Sequence, residues 1–328
     1  MSESIDRNLA MELARTTEAA ALSAARWMGR GDKISADQAA VDGMRTMLAS
    51  VQMDGVIVIG EGEKDEAPML YTGEEVGTGV EPKVDIAVDP VEGTTLLANG
   101  MPNSIAVVAM SDRGTMFFAP GIVYMNKIAV GPEAAHVIDI NASTAENLNR
   151  IAEAKKMPVH QLTVVVLQRP RHDDLIAEIR DTGARIKLIS DGDVAGGLMT
   201  CTPGGGADVL MGVGGAPEAV ITAAALKCIG GTIQCKLWPR DGDERRIAEE
   251  AGFDIDKVLS ADDLVRSDNI FFAATGITDG EFLRGVHYTS HGATTQSLVM
   301  RSRSGTVRWI ESSHELRKLT QYAAVPFD

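Results

Sequence analysis

The chain has 328 residues, a formal net charge of −15, and 45% hydrophobic but only 4% aromatic residues. That length suits two domains or one large α/β domain, and so few aromatics require an aliphatic core of Ala, Val, Ile, Leu and Met. The acidic surplus disfavours nucleic acid and anionic membranes as partners, and no apolar run reaches the length of a membrane span. A polar N-terminus without a signal-peptide pattern points to a cytoplasmic protein. Cys201, Cys228 and Cys235 are scattered, with neither zinc spacing nor a disulfide framework, and read as buried thiols.

Residues 4 to 29, rich in alanine and free of proline, predict a long helix that Gly29-Arg30-Gly31-Asp32-Lys33 ends. Ser35-Ala36-Asp37-Gln38 has the form of a capping box opening a second helix to about Val51. Asp37 then falls in the first turn, where compensation of the helix dipole is reason enough for an acid. Gly55 to Gly60 is an unbroken apolar strand, followed at once by Glu61-Gly62-Glu63-Lys64-Asp65-Glu66. Ile86-Ala87-Val88 predicts another buried strand, with Asp89 at its exit and Pro90 expected to end the pairing. Glu92, Gly93 and the hydroxyl pair Thr94-Thr95 follow at a helix start. Two carboxylates, a glycine and a hydroxyl at one strand tip suit a hard cation beside a phosphate. An ordinary strand, Asx-type turn and helix cap would contain the same residues.

Strands are predicted at 105–110, 114–118, 127–130 and 136–140, close enough together for an antiparallel or mixed sheet. A helix over 144–156 leads to Pro158, and a domain change is placed near residue 160. The division is therefore an N-terminal metal-binding α+β domain, 1–160, and a C-terminal α/β substrate-binding domain, 161–328. In the second half, strands at 162–167, 185–190 and 208–213 alternate with helices at 172–182, 194–201 and 216–229. That rhythm predicts a doubly wound parallel sheet. A polar helix over 241–252 precedes strands near 270–274, 296–301 and 306–310.

Strand exits in the second half also carry chemistry. Arg169-Pro170-Arg171 follows one strand, Asp191-Gly192-Asp193 the next, and Gly212 to Glu218 the third. Taken singly these are solvated arginines, a helix cap and a glycine-rich turn. Together with Glu61 and Asp89, five strand exits concentrate acids, arginines and glycines where α/β proteins collect ligands. The histidines lack metal-helix spacing and no nucleophile elbow is present, so an oxygen-only cation site, magnesium or manganese before zinc, is the consistent reading.

Asp89-Pro90-Val91-Glu92-Gly93-Thr94 resembles the D-P-[IV]-[DE]-G-T signature of the lithium-sensitive sugar and inositol phosphatase superfamily. Within it, Gly29 to Lys33, Ile59 to Glu63, Asp65 to Tyr71, Arg169 to His172, Ser190 to Asp193, Gly214 to Glu218 and Ala274 to Thr278 resemble class II fructose-1,6-bisphosphatase, in the same order from about Asp6 to Leu319. The resemblance implies a layered α-β-α-β-α fold and hydrolysis of fructose 1,6-bisphosphate at C1. It implies two divalent cations, Mn2+ or Mg2+, one held by Asp37 and Glu61 and the other by Asp89, Glu92 and Glu218. Thr94 would activate the attacking water, passing a proton to Asp65 or Glu61. Substrate would meet Glu92-Gly93-Thr94, Tyr124, Arg169-Pro170-Arg171, Asp191-Gly192-Asp193 and Gly215. A homo-oligomer, dimer or tetramer, is expected. Glu92 stands where the wider superfamily often has aspartate, and Arg169 where some members have lysine. Trp238 is followed by Pro239, so the tryptophan-aspartate element of inositol monophosphatases is missing. A bifunctional fructose-1,6-/sedoheptulose-1,7-bisphosphatase is the nearest alternative. A non-catalytic phosphosugar-binding regulator is the competing class, but it has no use for five convergent carboxylates and Thr94.

Overall fold

The computed structural model describes residues 9–62, 69–202, 204–315 and 317–319. Helix α1 (Ala10–Ala24) runs into a 3-10 turn at Ala25–Trp27, and α2 (Lys33–Leu48) follows. Then come β1 (Asp54–Ile59), β2 (Glu75–Gly77), β3 (Lys83–Glu92), α3 (Thr94–Ala98), β4 (Ile105–Asp112), β5 (Tyr124–Val130) and α4 (Thr144–Ala154). An alternating stretch contains β6 (Thr163–Leu167), α5 (Asp173–Asp181), β7 (Arg185–Ile189), α6 (Asp193–Met199), β8 (Val209–Gly215), α7 (Ala216–Ile229) and β9 (Thr232–Leu237). The remainder is α8 (Gly242–Glu250), β10 (Leu259–Ser260), α9 (Ala261–Leu264), β11 (Phe271–Gly276), β12 (His287–Tyr288), β13 (Ala293–Arg301) and β14 (Thr306–His314).

Among the described residues these strands form two mixed sheets. The first has eight strands, ordered β2-β1-β3-β4-β11-β13-β12 with β14 along β13, and only β1 and β3 run parallel. The second has six, ordered β10-β9-β5-β8-β6-β7. The doubly wound parallel sheet expected there is corrected in one respect. Strands β6, β7, β8 and β9 all point the same way, but β5 is inserted antiparallel between β8 and β9, and β10 closes the edge antiparallel to β9. The βαβ rhythm sets the direction of successive strands and says nothing about a strand from elsewhere filling the gap. Strand membership also crosses residue 160: β5 lies in the second sheet, whereas β11, β13 and β14 return to the first.

Three apolar clusters hold these parts together. Helices α1 and α2 cover one face of the first sheet through Leu13, Leu22, Met44 and Leu48 against Ile57, Ile86, Val108 and Val299. The opposite face, with Ala87, Val107 and Phe272, shares a cluster with α6, α7 and α9 and with Met125, Val165, Leu210 and Ile233 of the second sheet. The far face of the second sheet packs Ile128, Val164 and Val166 on Leu148 and Ile151 of α4 and Ile176 and Ile179 of α5. Among the described residues, no helix is long and apolar enough to cross a membrane.

Several local expectations change. The cap of α2 is Asp32, whose carboxylate accepts from the Ser35 N–H at 3.0 Å and the Ser35 hydroxyl at 2.7 Å. Its extended backbone sets that carboxylate over the free amides of the first turn, so Asp37 belongs to the second turn. Segment 114–118 contributes only a bridge, Met116 to Val265. Segment 136–140 is no strand, because side chains take its backbone groups. Asn147 accepts from the Asp139 N–H and donates to the Asp139 carbonyl, and the Gln234 amide oxygen accepts from the Ile140 N–H.

Pro90 does not end β3. Pairing with β4 continues through a bulge, with Asp89 opposite Val107 and Glu92 opposite Ile105. Pro90, which cannot donate, sits within the bulge. Three steps along β3 are thus matched by two along β4. Residues three apart in a regular strand point to opposite faces; here Asp89 and Glu92 share one. It is the face of Val107 and Ile105, turned toward the second sheet.

Candidate active site

The shared direction of β6, β7 and β8 brings their C-terminal ends to one place, and the antiparallel β5 begins there, at Tyr124. Facing them is the β3 bulge. Between the two lies a cavity of about 280 Å³. Its acidic wall has Asp89, Glu92, Asp191, Asp193 and Glu218; its basic wall has Arg169 and Arg171, with Tyr124 between strands. Gly93, Gly192 and Gly215 also line it. Glycine at 192 is needed twice over, for its φ of +88° and because any Cβ would stand 3.0 Å from Glu92 Oε2.

The acidic wall is under electrostatic load. Glu92 is only 2% exposed; its Oε1 accepts from the Val194 N–H at 2.7 Å, while its Oε2 is buried without a hydrogen-bond partner among the described residues. Glu218 Oε2 is buried and has no partner among the described residues either. Burial first, then Asp193, holds the Glu92 carboxyl well above the usual carboxylate range. Burial first, then Glu92, Glu61, Glu218 and Asp37, does the same to Asp89. Burial, followed by the charge of Asp193, pushes Glu218 up to about 7 against the opposing pull of Lys127. Glu61, just past β1, is pushed up to about 7 by burial and then by Asp37, and burial also raises Asp37. Acids from α2, β1, β3 and α7 therefore act on one another. Among the described residues, however, no three His, Cys, Asp or Glu side chains are gathered tightly enough to ligate an ion as they stand.

Thr94 lies beside the cavity, at the first position of α3. Gly93 caps that helix in the left-handed region at φ 85°, and the Thr94 hydroxyl lies 3.1 Å from the Val91 carbonyl and 3.5 Å from Asp37 Oδ1. Asp65 lies outside the described residues. Pro170 does not line the cavity; it starts the 3-10 turn Pro170–His172 and is exposed.

The arginines are partly anchored. Arg169 Nη1 donates to the Ser190 carbonyl at 2.7 Å. Arg171 donates twice to the Val213 carbonyl, and its guanidinium lies 4.9 Å from the centroid of the Tyr124 ring. Anchoring part of each fork fixes the direction of the rest, as a site for an oxyanion requires.

Two residues of consequence were given no site role by the sequence reading. His172 is 2% exposed; its Nδ1 lies 2.6 Å from the Leu167 carbonyl and its Nε2 accepts from the Val213 N–H at 2.7 Å. It bridges β6 and β8 where their ladder, paired only at Val164–Val165, has ended. Lys127 is 3% exposed on β5, with Nζ 2.6 Å from Asp193 Oδ2 and 3.0 Å from the Gly215 carbonyl. A lysine directly before the apolar run Ile128-Ala129-Val130 was the available signal.

Arginine forks facing buried carboxylates across a cavity of small-molecule size are the marks of a phosphatase acting on a small phosphate ester. The family model for bacterial fructose-1,6-bisphosphatase, glpX-encoded, matches residues 7–314. Fructose-1,6-bisphosphatase 1 class 2 of Escherichia coli strain K12 is 49% identical over 323 residues, covering 94% of this chain and 96% of the relative. The class 2 fructose-1,6-bisphosphatases of Escherichia coli O6:H1 and Shigella flexneri give the same identity and coverage. The chain belongs to the bacterial class 2 fructose-1,6-bisphosphatase family.

Proposed function

We propose that this chain is a divalent-metal-dependent phosphomonoesterase that hydrolyses the C1 phosphate of fructose 1,6-bisphosphate to fructose 6-phosphate and phosphate. The observation that carries the reading is the cavity itself, with arginines on one wall and desolvated carboxylates on the other. Two buried carboxylate oxygens without a donor among the described residues, on Glu92 and Glu218, fit a hard cation. Asp37, Glu61, Asp89, Glu92 and Glu218 would hold Mn2+ or Mg2+, which when bound would offset phosphoryl charge and acidify a water. The clustering of Ile59, Val107, Leu210 and Leu198 also agrees with an α-β-α-β-α layering for this family.

The residues divide the work by position. Arg169 and Arg171 would bind the phosphate that is not cleaved, turning a remote contact into alignment of the reacting one. Tyr124 would pack on the sugar, and Asp191 and Asp193 would accept from its hydroxyls. The Thr94 hydroxyl would orient the attacking water, and Glu61 or Asp65, or Asp37 at 3.5 Å from that hydroxyl, would take up its proton.

Phosphate release from fructose 1,6-bisphosphate with Mn2+, with Mg2+ and after chelation tests the proposal, with the product's remaining phosphate located by NMR. Release at C1 that chelation abolishes is the expected result. No release with either ion would leave a phosphosugar-binding protein, and unimpaired release after chelation would remove the metal from the mechanism.

A further inference from the structure

The buried ammonium of Lys127 has no part in the chemistry so far, yet the site is built around it. Strand β5 places Lys127 opposite Gly212 on one side and Cys235 on the other, in the interior of the second sheet. From there the side chain reaches along the strand to Asp193 Oδ2 at 2.6 Å and the Gly215 carbonyl at 3.0 Å. The side chains are 2% and 7% exposed, so this ion pair lies beyond the reach of solvent screening.

A second observation is independent of the pair's own geometry. A Cβ on Gly214 would stand 2.0 Å from Asp193 Oδ2, 2.8 Å from Lys127 Cε and 2.9 Å from Lys127 Nζ. The pair passes directly over the backbone at 214, and only a residue without a side chain leaves it room. Three segments are thus shaped to one contact: β5 supplies the cation, α6 the carboxylate and β8 the open backbone.

The consequence concerns Asp193. This acid opens α6 after Gly192, lines the cavity and adds to the load on Glu92 and Glu218. Without a partner, its carboxylate would be free to turn away from Glu92 and Glu218, whose charges it adds to. Burial favours loss of the Lys127 proton, but Asp193, followed by the effects of Glu218, outweighs it and the ammonium stays charged.

We propose that Lys127 is a positioning residue acting through Asp193: it commits one carboxylate oxygen and so aims the other at a sugar hydroxyl in the cavity. This deepens the proposed sugar-phosphatase function and rests on it. Binding of the sugar should depend on Lys127, and binding of phosphate alone should not.

Lys127→Met, Asp193→Asn and the double variant are compared with the unaltered chain by steady-state kinetics and by inhibition with inorganic phosphate, folding being checked by cooperative unfolding. Lys127→Met is expected to raise KM for fructose 1,6-bisphosphate by about 10–100-fold with kcat within about threefold. The inhibition constant for phosphate stays within about twofold, and the double variant is no worse than Asp193→Asn. An unchanged KM in folded Lys127→Met, a parallel change for phosphate, or a double variant worse than Asp193→Asn would each overturn the proposal. Where Lys127→Met does not fold, the double variant, which leaves no unpaired buried carboxylate, is set against Asp193→Asn, and a greater KM in the double overturns it. If the unaltered chain releases no phosphate, the proposed function fails by itself; calorimetric titration with fructose 6-phosphate then reads the same comparison as Kd.

Discussion

Replacing Glu61 by glutamine should stabilise the metal-free protein, although it removes a residue of the site. Glu61 loses hydration on folding and meets the charge of Asp37, which together move its carboxyl from 4.5 to about 7. The folded state therefore holds a proton that the unfolded chain has released, and this contribution to stability, complete below 4.5, is lost as pH rises through about 7. At roughly 1.4 kcal/mol for each tenfold change in acidity, ionised Glu61 costs about 3 kcal/mol above pH 8 and under about 1 kcal/mol at pH 5. Glutamine keeps the shape and has no charge to desolvate. In chelator at about pH 8, Glu61→Gln should gain about 2–3 kcal/mol, a rise in Tm of roughly 3–6 °C for a chain of this length, and most of the gain should vanish at about pH 5. Saturating Mn2+ should reverse the order, because the variant has one carboxylate fewer to offer. Thermal unfolding at both pH values, with and without metal, reads all of this. A variant no more stable than the parent in chelator at the higher pH would refute the account, as would a gain independent of pH.

Thr94→Ala should fold normally, since the lost hydroxyl makes one bond within its own turn and a long 3.5 Å contact to Asp37, and should lose about 10²–10⁴ in kcat, measured as phosphate release. His172→Phe leaves the Leu167 carbonyl and the Val213 N–H buried without a partner and should cost about 2–4 kcal/mol in denaturant titrations. Burial, with Arg171 and Arg169 nearby, also holds His172 below its ordinary 6.5. The stability it supplies is therefore complete above 6.5 and falls as pH drops toward the depressed folded value, a dependence His172→Phe should flatten. Gly214→Ala forces a methyl into the Lys127–Asp193 pair and should destabilise by about 2–4 kcal/mol, with a higher KM in whatever fraction folds.

What the sequence determined was local. Strand exits at Glu61, Arg169 and Asp191, the hydroxyl at the start of α3 and the βαβ rhythm after residue 160 were legible, because each depends on neighbours within a few residues. So was the family, from short motifs in a fixed order. Tertiary structure decided what depends on pairing between distant segments. Pro90 reads as a strand end, yet β4 accommodates it in a bulge and turns Asp89 and Glu92 to one face. Strand β5, placed with its neighbours in sequence, is drawn into the second sheet by β8 and β9, which pair along both its edges. Only that insertion brings the Lys127 ammonium to Asp193 and the Tyr124 ring under Arg171. Register and burial are properties of two partners at once, and a chain read residue by residue shows one partner at a time.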